Sequence, residues 1–131
     1  MKKIVLVSFI FLLVSCTKNE EINELTFIGK WKLIESFGSD GVTNPAWNSV
    51  SNGYVYEFSE NLTFTRTQTQ TNCREGYYTF ENDVLTLTNS CSLNSNLIYS
   101  FKISYDGNNL ILTPKFLDCI EGCGLKYEKI Q

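Results

Sequence analysis

The side chains that start chemistry are sparse in this chain. Its 131 residues include no His, so the commonest general base and the commonest metal ligand are both missing. Five Cys stand at positions 16, 73, 91, 119 and 123, with no Cys-x-x-Cys pair among them. The carboxylates fall at turns and in the N-terminal stretch, not paired within strands, and no Ser or Cys has a His to activate it. The expectation is a protein that is not an enzyme and uses neither a metal nor another cofactor. Glu35 and Arg66, both inside alternating apolar segments, suit binding better than proton transfer. Arg66 is the more informative, because an inward charge needs a partner. That partner is either a ligand carboxylate or phosphate or Glu35, and a one-residue slip of register turns the side chain to solvent instead.

Composition narrows the partners. Net charge is −3 with a pI near 4.9, which argues against nucleic acid, because a phosphate binder needs surplus Lys and Arg. Hydrophobic residues make up 43% of the chain and aromatic ones 14%, enough for one domain of ordinary size.

The N-terminus reads as an address. Lys2 and Lys3 precede the apolar run Ile4 to Val14, followed by Ser15 and Cys16. As a helix that run rises only about 16 Å, roughly half the thickness of a bilayer's hydrocarbon core. Leu13-Val14-Ser15-Cys16 resembles a bacterial lipobox, which implies cleavage after residue 15 and lipidation of Cys16. The expected organisation is a signal peptide over 1–15, a lipidated tether over 16–27 and a folded domain over 28–131. Thr17 differs from the Asp that resembles an inner-membrane retention mark, so a lipid anchor in the outer membrane is the expected location. Lys18-Asn19-Glu20-Glu21 either resembles a surface-export tag or is a solvated linker, so the membrane face stays open.

Beyond residue 28 the chain alternates with period two and breaks at turn residues. Eight strands are expected, around Trp31, Tyr56, Phe64, Tyr78, Leu85, Phe101, Leu110 and Tyr127. No helical stripe competes, and Val, Ile, Thr, Tyr and Phe dominate as β structure favours. The tight connections at 59–61, 81–83 and 106–109 gather at one end of a meander, and the longer ones, including a loop over 37–52, at the other. The fold class expected is all-β, an eight-stranded antiparallel up-and-down barrel with a closed floor and an open mouth.

With Cys16 assigned to lipid, Cys73, Cys91, Cys119 and Cys123 read as two disulfides in an oxidising compartment. Opposing Phe80 to Leu85 and Tyr78 to Leu87 brings Cys73 near Cys91, so Cys73–Cys91 and Cys119–Cys123 are the expected pairs. All four fall on mouth-side connections.

Gly29-Lys30-Trp31, opening the first strand, resembles the Gly-x-Trp signature of lipocalins. The resemblance covers roughly Leu25 to the C-terminus and, with the lipobox, is to the small bacterial lipocalin-like lipoproteins. It implies a floor in which Gly29 lets the chain enter closely, Trp31 acts as plug, and a cation from the last strand, here Lys129, lies over the indole. No room is left for the long C-terminal helix of larger lipocalins. The inward residues expected near the mouth are Glu35, Tyr54, Tyr56, Arg66, Gln68, Tyr78, Leu97 and Tyr99. Of these Tyr54, Tyr56, Arg66, Gln68, Tyr78 and Tyr99 are the expected contacts for a small apolar or amphipathic ligand. The competing expectation is a barrel filled by its own aromatics that binds a protein partner through a disulfide-braced rim. Trp47 serves there as the contact, or as a lid under the first reading.

Overall fold

The computed structural model describes residues 27–38, 44–67, 73–90, 98–115 and 122–131. The expected signal peptide and the expected tether through residue 26, with Cys16, Gln68, Cys91, Leu97 and Cys119, lie outside the described residues.

Nine antiparallel strands follow in order: β1 (Gly29–Gly38), β2 (Ala46–Ser49), β3 (Val55–Phe58), β4 (Thr63–Arg66), β5 (Glu75–Glu81), β6 (Val84–Asn89), β7 (Ile98–Asp106), β8 (Asn109–Pro114) and β9 (Gly124–Ile130). Each of β3 to β8 pairs with its successor, and β1 pairs with both β3 and β9. That last pairing closes β1 and β3 to β9 into an eight-stranded barrel, as expected. The ninth strand, β2, is the difference. Residues 37–52 were expected to be a loop, but Ala46–Ser49 lies alongside the distal half of β1, with Phe37 opposite Trp47. Thus β2 and β3 share one edge of β1 end to end, β3 beside Gly29 to Lys32 and β2 beside Glu35 to Gly38.

The floor turns follow their sequences. Asn82 and Asp83 both adopt left-handed φ, +50° and +61°, which matches the right-handed twist of the flanking strands. The register they set places Phe80 opposite Leu85 and Tyr78 opposite Leu87, as the alternation predicted. Between β7 and β8, Gly107 takes φ +59°.

Alternate residues converge on one core: Trp31, Leu33, Tyr56, Phe58, Phe64, Tyr78, Leu85, Leu87, Phe101, Ile103, Leu110, Leu112 and Tyr127 are buried. Phe27 joins them at 0% exposure, so the domain begins one residue earlier than the tether boundary expected at 27. Its ring lies 4.1 Å from that of Phe58, 5.8 Å from Tyr78 and 6.1 Å from Phe80. Phe27 also accepts a 2.7 Å hydrogen bond at its carbonyl from the Trp31 indole N–H. The floor is therefore stoppered by a phenyl ring as well as an indole. Lys129 Nζ stands 5.3 Å from the centre of the Trp31 ring, in the cation–π range. Gly29 has φ +124°, a backbone conformation that favours glycine, and an added Cβ would meet only the flexible end of Lys129, at 3.2 Å.

Candidate functional site

Above this filled floor the interior turns polar. Tyr54 precedes β3 and Tyr56 lies within it, both inward because alternate residues share a face. Opposite Tyr56 in register stands Arg66, at the mouth end of β4. The guanidinium lies 5.6 Å from the centres of both phenol rings, and Arg66 Nη1 donates to Tyr56 Oη at 3.2 Å. Tyr54 and Tyr127 share a hydrogen bond of 2.8 Å between their hydroxyls. Tyr99, on the inward face of β7, is 45% exposed at the rim and close enough to act electrostatically on Tyr56.

Arg66 makes no ion pair among the described residues. Its Nε is buried and has no hydrogen-bond partner among the described residues. Burial, helped by the neighbouring Tyr54, pushes the Tyr56 phenol far above its ordinary value of 10.0, against the lowering influence of Arg66. Burial likewise raises Tyr127 well above that value, with Tyr54 and Tyr56 adding to it. Both hydroxyls therefore keep their protons at neutral pH and serve as hydrogen-bond donors.

Three expected residues sit elsewhere. Glu35 does not face the interior. The pairing of β1 with β9 shifts register between Leu33 and Glu35, and this bulge turns Glu35 to the outer wall. There Lys126 Nζ bridges Glu35 at 2.9 Å and Asp106 at 3.0 Å. Tyr78 is not at the mouth: its hydroxyl donates to the Ser59 carbonyl at 2.8 Å and its ring meets Phe58 at 5.3 Å, which makes it part of the floor. Trp47 neither covers the mouth nor sits on a loop. It lies on the outer wall against Phe37, at 5.3 Å, with Lys126 Nζ 4.5 Å over its ring. Gly124 makes room for it, since a Cβ there would come within 3.0 Å of the indole.

Of the expected ligand contacts, the structure brings together Tyr54, Tyr56, Arg66 and Tyr99. Two residues went unassigned by sequence reasoning. The hydroxyl of Tyr127, on β9, reaches the polar layer beside Tyr54. Asn89, a buried polar residue, continues the inward series Leu85, Leu87 at the mouth end of β6. Its signal was that alternation, broken by one amide. Cys73 and Cys123 flank the mouth ends of β5 and β9, and each is held in a disulfide.

The geometry defines a closed antiparallel barrel, stoppered at one end and carrying a cationic, phenol-lined basin at the other. No protein-family model and no curated protein matches the chain.

Proposed function

We propose that the protein is an envelope-anchored, lipocalin-like lipoprotein that binds a small amphipathic ligand at the open end of its barrel. The observation that carries this reading is Arg66, held inward between two phenols with no carboxylate to neutralise it among the described residues. Burying charge without a counterion costs stability, and a binding site is a reason to keep it. Catalysis is not proposed. The anchor proposed is acyl chains on Cys16 in the outer membrane, and the proposed bridges are Cys73–Cys91 and Cys119–Cys123. One bridge across a loop of this order is worth about 3 kcal/mol, which would brace the mouth connections. Native mass spectrometry of the protein extracted from its own membrane tests the reading. A bound small molecule, lost in Arg66→Gln, supports it, and protein that is empty however gently it is extracted counts against it. Loss of acyl labelling in Cys16→Ser tests the anchor.

A second reading is favoured by Trp47, whose indole is 37% exposed on the outer wall. In that reading the barrel is a scaffold and this wall contacts an envelope protein. Trp47→Ala then abolishes capture of the partner while leaving small-molecule content unchanged.

A further inference from the structure

We infer that the ligand enters head first, placing an anionic group with paired acceptor oxygens, a carboxylate or phosphate, against Arg66. Its apolar part lies outward along Tyr54 and Tyr99. This rests on the ligand-binding reading above and deepens it.

Hydrogen-bond accounting points to an acceptor. Tyr56 Oη accepts from Arg66, so its own hydrogen remains to be donated. Between Tyr54 and Tyr127 only one hydrogen lies in the 2.8 Å contact. With Tyr127 fully buried, the arrangement that leaves no hydrogen trapped has Tyr127 donating and Tyr54 presenting its own upward. The Tyr99 hydroxyl adds a further donor at the rim, and Arg66 Nε–H lacks an acceptor. The basin thus offers a guanidinium and three phenols rich in donors, and none of the described residues lining it carries negative charge. A ligand anion satisfies that set, whereas a neutral apolar molecule leaves it as it was.

Charge and packing agree on the orientation. The one carboxylate that the alternation would bring inward, Glu35, is turned out by the bulge and held by Lys126. Below Arg66 the barrel is occupied by Tyr127, Phe58, Phe64 and Phe27, all at 2% exposure or less, so an apolar tail finds no depth to enter. The phenol faces at 5.6 Å steady the cation while the site is empty.

The experiment compares three probes on the folded full-length protein, followed by the NMR shifts of the tyrosine rings: 4-phenylbutyrate, its uncharged amide, and phenyl phosphate. Both anions are expected to bind at least about tenfold tighter than the amide, a gap worth about 1.4 kcal/mol. A preference between carboxylate and phosphate identifies the head group. Arg66→Gln is expected to bring acid and amide within twofold of each other, while Arg66→Lys retains part of the preference. Tyr99→Ala weakens acid and amide alike. Circular dichroism and a thermal melt confirm that each variant folds. Equal binding of acid and amide by the unaltered protein overturns the anionic head and leaves ligand binding standing. Binding of none of the three, together with empty native protein, overturns both.

Discussion

The two ends of this barrel solve opposite problems with the same aromatic side chains. At the floor, Phe27, Phe58, Phe80 and Tyr78 meet ring to ring, and the polar atoms of Trp31 and Tyr78 are spent on backbone carbonyls at 2.7 and 2.8 Å. At the mouth, Tyr54 and Tyr56 flank a cation; the Tyr54 hydroxyl bonds to that of Tyr127 and the Tyr56 hydroxyl accepts from Arg66. The connections differ too. Asn82-Asp83 and Gly107-Asn108 turn the chain in two residues at the floor, whereas residues 115–123 separate β8 from β9 at the mouth. At the floor a phenol spends its hydroxyl on a backbone carbonyl, whereas at the mouth Tyr56 meets a cation and Tyr54 another phenol.

The contrast breaks first at Phe27. Phe27→Ala removes a fully buried ring from the stopper and is expected to cost about 3–5 kcal/mol by denaturant unfolding. Tyr99→Ala at the open rim should cost under about 1 kcal/mol by the same measurement. Equal losses would mean that the mouth is core as well.

Alkali sharpens the comparison next. Tyr56 and Tyr127 have folded values raised above 10.0, so their contribution is complete below pH 10 and is lost as pH rises through the folded values. Denaturant midpoints should therefore fall above about pH 10. Absorbance near 295 nm should show two phenols that ionise only on unfolding. Tyr127→Phe, which removes one hydroxyl from the buried pair, is expected to cost about 1–2 kcal/mol and to abolish one of those late titrations.

At the mouth the sign reverses. Arg66→Met exchanges an unpaired inward cation for a flexible apolar chain, and is expected to leave stability unchanged or raise it by about 1 kcal/mol while ligand binding is lost. A large loss of stability in the thermal melt would make Arg66 a structural residue. The smallest effect belongs to the outer wall. Lys126→Met releases Glu35 and Asp106 and should lower the denaturant midpoint only slightly, less still at high salt.

Much of this arrangement was legible in the chain. Period-two alternation from Trp31 onward gave the strands. The residues at 82–83 and 106–109 marked the tight turns and so the closed end, and Gly29, Trp31 and Lys129 met at the floor as their positions implied. The alternation also put Tyr54, Tyr56, Arg66 and Tyr99 on one face. The errors in depth share one physical origin. Parity fixes which face a side chain joins but not how strands stagger, and in a sheared barrel stagger decides depth. Tyr78 therefore sank to the floor while the Tyr127 hydroxyl rose to the polar layer.

The bulge after Leu33 reversed parity for Glu35, and nothing in the local sequence marks it. It makes sense only beside Gly53, where an added Cβ would collide with the Leu33 carbonyl. Phe27 is a single ring in a polar lead-in, and only a floor with room for it makes it a plug.

By itself the sequence determined the alternation, the turns and therefore an antiparallel barrel with a cation on its inner face, because these depend on contacts between neighbours in the chain or across one hairpin. Tertiary structure alone decided that Phe27 closes the floor, that Trp47 lies outside on the ninth strand, and that Arg66 is left without Glu35. The first and the last depend on stagger and register between strands distant in sequence, which the closure of β1 onto β9 sets for the whole barrel at once, and the second on the pairing of β2 with the adjacent β1.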